Sequence, residues 1–247
     1  MEHMAKDIKE ILKETYPYRI EMHAHSHPVS YCGEASPKRV VEIYHELGYH
    51  GVVLSNHFAY KGGLFSEEGT KEELLKRYLD AFAEAKETAE KLGMKAYLAA
   101  ELRFAENNND YLLYGVDETI LSEAYDLLSG TLAEYREKTD LSKSVLIQAH
   151  PFRQGIQLVD ASLLDGVETL NLHPGHNAAV GIAIKYAKEN KLSVTIAGSD
   201  FHHLDKKHEG VAAVRMRELP ADTFALAEML KNGDYILEIG GEAIVLP

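Results

Sequence analysis

Short apolar runs alternate with amphipathic stretches along most of this sequence. Segments 51–55 and 145–148 are nearly continuous apolar runs of strand length, as expected for strands that are covered on both faces. Between such runs, apolar residues recur at helical spacing, for example across 37–47. No linker, repeat or low-complexity tract interrupts the alternation, which is the βα pattern of one parallel sheet.

The pattern predicts seven strands in about 200 residues, which favours a closed or nearly closed barrel over an open sheet. Ser36-Pro37 carries the signal of a helix start, and Thr70 and Glu73 form a capping box before a long helix. Residues 58–69 are predicted to be a Gly-rich loop. The predicted strands are 20–25, 51–55, 95–100, 111–116, 145–148, 166–170 and 192–197, with two more short β runs near 210–216 and 235–239. The predicted helices are 4–15, 37–47, 71–92, 122–139, 176–190 and 220–232.

Size and charge limit the classes of function. The chain has 247 residues, 45% of them hydrophobic, and we expect one domain over residues 1–247. A net charge of −13 argues against broad binding to nucleic acid or to anionic membranes. The single cysteine, Cys32, excludes an internal disulfide, and no segment resembles a signal peptide or a membrane span. We therefore expect a cytoplasmic protein that binds neither membrane nor nucleic acid.

Candidate metal ligands stand at the ends of the predicted strands. His23 and His25 are one residue apart in a strand, so both imidazoles point to the same face. Asp200 and His202 repeat this spacing after a later strand. Because the carboxyl ends of parallel barrel strands form one rim, we expect these side chains to converge. The other strand ends carry His57, Glu101 and His150.

These residues, in this order, resemble the PHP (polymerase and histidinol phosphatase) family of metal-dependent phosphoesterases. The similarity extends over nearly the whole chain, and the first segment, with Cys32-Gly33-Glu34-Ala35, is especially like the histidinol-phosphatase-like members. It implies a TIM-like PHP fold, which is a distorted seven-stranded (βα)7 barrel that holds two or three divalent ions of Zn, Mn or Fe. The matching motifs are His23-Ala24-His25, Ser55-Asn56-His57, Glu101, His150-Pro151 and Gly198-Ser199-Asp200-Phe201-His202.

The resemblance also implies how the ligands are shared. Glu101 bridges two ions, and His150 holds the second of them. His57 and His202 hold a third ion. The remaining ligands of the first ion are His23, His25 and Asp200.

The sequence departs from the family pattern at three places. Asn56 replaces an Asp that is not always a ligand. Glu34 replaces a His, and it is either a carboxylate ligand, which would favour Mn or Fe, or an exposed loop residue. No histidine lies between Glu101 and His150, where the family usually has one, and Tyr111, a poor ligand when neutral, stands there. The site therefore holds either two full ions or three with one weakly bound.

Together, the resemblance and the candidate ligands predict an enzyme that hydrolyses a small phosphate ester, a monoester rather than a diester, with a metal-activated hydroxide. Arg153 lies three residues after His150, and a guanidinium binds phosphate through two hydrogen bonds. The predicted catalytic residues are Glu101, Arg153 and His202, and the predicted substrate-binding residues are Arg153, Arg103, Asn171 and His173. Cys32 is interpreted as a structural residue, because the proposed chemistry needs no thiol nucleophile.

Two other interpretations stay open. Amidohydrolases also begin with two histidines one residue apart on a barrel strand, although they usually have a lone late Asp and often a carboxylated Lys. A non-catalytic, metal-binding regulatory PHP domain is suggested by the altered positions Glu34, Asn56 and Tyr111. Turnover of phosphate esters, or of amides, distinguishes the three.

Overall fold

The computed structural model describes residues 7–207, 209–241 and 243–245. Within these ranges the chain forms one curved sheet with helices packed around it. Residues 4–6 of the first predicted helix lie outside the described residues. The strands are β1 (Tyr18–Ala24), β2 (Gly51–Leu54), β3 (His57–Ala59), β4 (Lys95–Arg103), β5 (Tyr111–Tyr114), β6 (Val145–Gln148), β7 (Gly166–Asn171), β8 (Val194–Gly198), β9 (Ala212–Met216), β10 (Tyr235–Ile239) and β11 (Ala243–Val245). The helices are α1 (Ile8–Thr15), α2 (Pro37–Glu46), α3 (Lys71–Lys91), α4 (Glu118–Leu127), α5 (Leu132–Lys138), α6 (Val180–Glu189) and α7 (Thr223–Asn232).

The sheet is a nearly closed barrel. Its strands follow the order β1, β2, β4, β5, β6, β7 and β8, and β3 continues along β4 beyond the end of β2. The first and last strands meet where the Phe201 N–H donates to His23 O (3.1 Å) and the His25 N–H donates to Phe201 O (2.9 Å). On its other side, β1 pairs with β9, and β10 and β11 extend the sheet in antiparallel fashion. The predicted TIM-like barrel is therefore confirmed, but the sheet has more strands than the seven expected.

Strand β5 differs from the predicted parallel arrangement. It pairs in antiparallel fashion with both β4 and β6. Only residues 104–110 connect β4 to β5, which is too short for a crossover between parallel strands, since such a connection needs about a dozen residues. The chain reverses direction here, so the start of β5 lies at the same rim as the end of β4.

Three other segments differ from the prediction. The helix expected at 122–139 is two helices, because Gly130 interrupts it and Thr131 begins α5 with its own capping box. Helix α6 begins at Val180 rather than 176, after a turn. The loop expected at 58–69 contains β3 and one 3₁₀ turn at Leu64–Ser66.

Apolar side chains fill the barrel and separate it from the helices. Met22, Ile147 and Ile196 come from three different strands and belong to one buried cluster, which therefore occupies the barrel interior. A second cluster joins the outer face of the sheet to α3, α4 and α5, and a third lies under α2. Burying a side chain of this size contributes about 1.5–3 kcal/mol, so the barrel is a rigid support for its rim.

Candidate metal centre

Four buried side chains converge at the carboxyl end of β1. His23 Nε2 lies 3.0 Å from His25 Nε2. Both nitrogens lie 3.4 Å from Asp200 Oδ1, and they lie 3.3 Å and 3.5 Å from the two oxygens of Glu101. Each of these four residues is at most 1% exposed. The structure thus brings together the four residues expected to hold the first ion.

The other predicted histidines surround Glu101. His150 Nε2 lies 3.2 Å from Glu101 Oε1, and His57 Nδ1 lies 2.7 Å from Glu101 Oε2. The ring centroids of His57 and His202 lie 4.4 Å and 4.2 Å from the ring centroid of His25. His25, His57 and His202 can offer ligand atoms within 4.8 Å of one another, which is the spacing that one ion needs. Glu101 is therefore the centre of the whole cluster.

Hydrogen bonds fix which nitrogen of each imidazole faces the cluster. His23 Nδ1 lies 2.9 Å from Glu168 Oε1, and His202 Nδ1 lies 2.7 Å from the carbonyl oxygen of Asp200. Because carboxylate and carbonyl oxygens only accept, these Nδ1 atoms carry hydrogens, and Nε2 is left as the metal-facing nitrogen. His25 Nδ1 lies 3.1 Å from the hydroxyl of Ser30, which itself donates to Asn56. Such outer hydrogen bonds are characteristic of metal-binding histidines.

Backbone geometry at the rim is unusual. His150 and Asp200 have φ angles of 30° and 53°, in the left-handed region that residues other than glycine rarely adopt. The register of β1 against β2 shifts between Glu21 and Ala24, and that of β7 against β8 shifts between Glu168 and Leu170. Strained residues and β-bulges concentrate at functional sites, where they aim particular side chains.

Glu168 is a residue of the site that the sequence prediction missed. Its Oε1 accepts a hydrogen bond from His23, and its Oε2 accepts from the His150 N–H (3.0 Å) and from Asn171 Nδ2 (2.9 Å). A Cβ at Gly198 would lie 2.5 Å from Glu168 Oε1, so the neighbouring strand needs glycine there. A buried charge inside the apolar run 166–170 was the available signal.

Asp110 is the second missed residue, and it lies where Tyr111 was expected. The Asp110 side chain is 4% exposed, with Oδ2 3.8 Å from His150 Nε2. Tyr111 instead points into the apolar cluster outside the barrel, where its hydroxyl accepts from Asn109 Nδ2 (3.1 Å). The alternation of side chains along β5 separates the two neighbours.

Glu34 is not in the cluster. Its side chain is 52% exposed, and its two oxygens accept from His203 Nδ1 (3.0 Å) and from the Leu204 N–H (2.9 Å). Of the two interpretations of this residue, the structure matches the exposed loop residue.

A cavity of about 270 Å³ opens beside the cluster. Arg153 reaches it with its side chain 17% exposed, and its Nη2 donates to Asn171 Oδ1 (3.0 Å) and to Asp200. Arg103 also lies on the cavity, but its Nε and Nη2 donate to both oxygens of Asp110 at 2.7 Å and 2.6 Å. The residues that line the cavity are Cys32, His57, Glu101, Arg103, Asp110, His150, Arg153, His173, His176, Asp200, His202 and His203.

Cys32 lies in this cavity rather than in a structural position. Burial raises the pKa of its thiol, but hydrogen bonds with His202 and His57 lower it more, to about 6. No pattern in the sequence indicates this environment, because loop 26–35 places Cys32 against residues far away in the chain.

The carboxylates of the cluster depend on the imidazoles for their charge balance. Burial raises the pKa of Glu101, but His57 and His23 lower it more, so it lies well below its ordinary value. Burial lowers the pKa of His57, but Glu101 raises it more, so it lies well above. Although burial opposes it, the pKa of His23 is also raised, mainly by Glu168. In contrast, burial and the neighbouring His202 and His57 lower the pKa of His25. A divalent cation that binds here would displace the protons that His23 and His57 hold.

No family model and no curated protein matches the sequence. Several solved structures have a similar fold. One is a two-domain protein from Bacteroides vulgatus containing a predicted PHP-like metal-dependent phosphoesterase (16% identity, TM-score 0.62), which matches 90% of this chain. The chain spans 64% of that protein.

Two other likenesses are weaker. A proposed metal-dependent phosphoesterase from Bifidobacterium adolescentis has 16% identity and a TM-score of 0.50, over 74% of this chain and 87% of its own. An amidohydrolase from Chromobacterium violaceum with bound sulfate and no metal has 12% identity and a TM-score of 0.50, over 76% and 89%.

The fold of the chain is similar to that of the protein containing a predicted PHP-like phosphoesterase, as the resemblance predicted. The histidinol-phosphatase-like subgroup stays a prediction. Among the described residues, no helix combines the length and the apolar character that a membrane span requires.

Proposed function

We propose that this chain is a metal-dependent phosphoesterase that hydrolyses small phosphate monoesters. The observation that carries the proposal is the convergence of His23 Nε2, His25 Nε2, Glu101 and Asp200, at 3.0–3.5 Å, in a buried site on the rim of a PHP-like barrel. Together with His57, His150 and His202, this donor set fits two or three divalent ions of Zn, Mn or Fe. When bound, such ions supply an activated water and neutralise the charge of a phosphate.

The buried polar atoms of the site support metal binding. Glu101 Oε2 and His150 Nδ1 have no aligned hydrogen-bond partner, although both residues are at most 2% exposed. A buried carboxylate oxygen without an aligned donor is unfavourable unless a positive charge compensates it, and protonated His57, whose Nδ1 lies 2.7 Å from Oε2, or a bound cation would supply that charge. Glu101, at the centre of all the predicted ligand groups, is suited to bridge two ions.

Arg153 is the group suited to bind the substrate phosphate. It lies on the cavity beside Asp200, and its Nε is buried without a hydrogen-bond partner among the described residues. Asn171 fixes the guanidinium, and His173 lies on the same cavity. A guanidinium aimed at a small polar cavity favours an anionic substrate such as a phosphate ester. His202, which lies at the cavity with Nδ1 committed to a carbonyl, belongs to the proposed catalytic group.

Amide hydrolysis is the second candidate, because the Chromobacterium violaceum amidohydrolase has a similar fold. The guanidinium of Arg153 in the cavity favours the phosphate ester. A non-catalytic metal-binding domain is the third possibility, and it requires that no ester or amide be turned over.

The test begins with protein stripped by a chelator and then supplied with Mn²⁺, Fe²⁺ or Zn²⁺. We expect phosphomonoester hydrolysis to disappear on stripping and to return with at least one ion. Arg153→Met should lower kcat/KM by about 10²–10³ without changing metal content, since it removes one charged donor from the transition state. Arg136→Met, which breaks a surface pair with Asp165, is the matched control. Turnover of amides alone, or of nothing with any ion, would refute the proposal.

A further inference from the structure

Asp110 has no role in any of the predicted ligand groups, yet it is buried against them. Its ligand oxygen lies within 4.8 Å of ligand atoms of both His57 and Glu101, and Oδ2 lies 3.8 Å from His150 Nε2. His150 Nε2 is in turn 3.2 Å from Glu101 Oε1. His57, Glu101, Asp110 and His150 all line the cavity.

From this arrangement we propose that Asp110 is a ligand of the second metal ion, together with Glu101 and His150. The inference rests on the proposed metal-dependent function and adds to it the composition of one metal site. Two carboxylates and one imidazole make this site richer in oxygen than the first site, where two imidazoles are present.

The surroundings hold Asp110 in one position. Its carbonyl oxygen accepts from the Ala149 N–H (2.9 Å), which connects it to the residue before His150. Its carboxylate receives two hydrogen bonds from Arg103, at 2.7 Å and 2.6 Å. A carboxylate oxygen has two lone pairs, so it can accept from Arg103 and still bind an ion. Arg103, predicted to bind substrate, is thus a positioning residue for a metal ligand.

Charge supports the same conclusion. Asp110 and Glu101 are both buried, and Arg103 is the guanidinium that pairs with Asp110. Glu101 Oε2 has no aligned donor, although His57 Nδ1 lies 2.7 Å away. Once the imidazoles release their protons to bind metal, a divalent ion between the two carboxylates would supply the positive charge that those protons had provided.

The ligand types predict a metal preference. Carboxylate ligands suit Mn²⁺, whereas imidazole suits Zn²⁺ and other late metals. Replacing Asp110 by histidine should therefore shift the second site toward zinc. The expected shift is at least about tenfold in the ratio of Zn²⁺ to Mn²⁺ affinity, judged from the tenfold to 100-fold effects of lesser changes around metal sites.

The experiment is a titration of metal-stripped full-length protein with Mn²⁺, read by calorimetry and by the loss of the free-ion EPR signal. The wild type should bind at least two ions per chain. Asp110→Asn should weaken the second step at least about tenfold and leave the first unchanged. The matched control is Asp165→Asn, which also removes a carboxylate held by an arginine and a backbone N–H, but far from the cluster.

Two further measurements keep the inference testable if Asp110→Asn does not fold. Anomalous scattering from wild-type crystals grown with Mn²⁺ should place an ion in contact with an Asp110 oxygen, and Asp110→His should show the shift toward zinc. An ion bound by Glu101 and His150 but not by Asp110, or an unchanged second step in a folded Asp110→Asn, would overturn the inference. Metal binding as inferred without turnover of phosphate esters would instead refute only the proposed function.

Discussion

The carboxylates of Glu238 and Glu101 are equally buried, but different partners neutralise them. Glu238, on β10, accepts from Arg19 at 2.8 Å and 3.0 Å and from Arg215. Arg215 lies on the adjacent β9, and Arg19 lies on β1, the next strand beyond it. Glu101 is surrounded instead by the imidazoles of His23, His57 and His150. A guanidinium is always charged, so the Glu238 cluster is complete by itself.

The imidazoles around Glu101, unlike the guanidinium groups around Glu238, are not permanently charged. They are charged only while they hold protons, and a metal ligand must release its proton. The rim cluster can therefore exchange its cations, whereas the Glu238 cluster cannot. The difference distinguishes a structural group of charges from a group that is built to bind ions.

The largest expected effect follows removal of the central rim carboxylate. Glu101→Gln should lower phosphate-ester turnover at least about 10³-fold, because it would remove the proposed bridging ligand of the ions that would activate water. It should also abolish the rise in Tm that metal produces in the wild type, since ions stabilise only the state that binds them. Calorimetric melting with and without Mn²⁺ is the measurement, and an undiminished metal-dependent rise would contradict the assignment of Glu101.

The same measurements on Glu238→Gln should show a loss of fold stability and an unchanged response to metal. Removing one partner of a buried ion pair is expected to destabilise the fold by about 3 kcal/mol, because two partly buried guanidinium groups lose their carboxylate. Arg19 and Arg215 are 16% and 10% exposed, so water recovers a part of the loss. Urea unfolding gives the free energy, and the metal-dependent rise in Tm should persist. A loss below about 1 kcal/mol would mean that the pair is as weak as an exposed one.

The two clusters also differ in how far the sequence could predict them. The convergence of His23 and His25 could be predicted from their spacing at the end of a strand, since alternate residues of a strand share a face. Asp200 and His202 have the same spacing, but they follow β8 rather than lie in it, and the φ angle of Asp200 is 53°. Asp110 could not be placed in this way, because it precedes a strand that runs against its neighbours. Its position depends on the short connection between β4 and β5, which the parallel pattern of the other strands concealed.

The sequence also could not predict the contacts of loops or of residues that lie far apart in the chain. Glu34 faces His203 and Cys32 faces the cavity because loop 26–35 is held by distant residues, including the His202 carbonyl that accepts from the Glu34 N–H. Arg19 and Glu238 are separated by 219 positions, and neither carries a local signal of its partner. The barrel and the ends of its strands could be predicted from local sequence patterns. These contacts, in contrast, form only when the folded barrel brings distant residues together.

The smallest expected effect concerns two histidines, one near the guanidinium groups around Glu238 and one near Glu101, whose pKa values are shifted in opposite directions. His50, whose Nδ1 accepts from the Arg19 N–H (3.1 Å), lies near the guanidinium groups, and burial together with Arg19 and Arg215 lowers its pKa. His57, near Glu101, has a raised pKa. At a pH below the ordinary histidine pKa of 6.5, His50 binds a proton more readily in the unfolded chain than in the folded one. Its contribution therefore makes the protein less stable as the pH falls.

His50→Asn should remove this part of the pH dependence, because the amide oxygen can still accept from the Arg19 N–H but does not titrate. The effect should stay below about 1 kcal/mol, since solvent screens a partly exposed group. Urea unfolding between about pH 5 and 8, on metal-stripped protein, measures it, and His45→Asn at an exposed position is the control. Above the ordinary pKa of histidine, both His50 states are neutral and the pH slopes of wild type and variant should coincide. If His50→Asn leaves the slope below that value unchanged, the guanidinium groups do not repel a proton on His50, and the proposed contrast between the two clusters fails at this end.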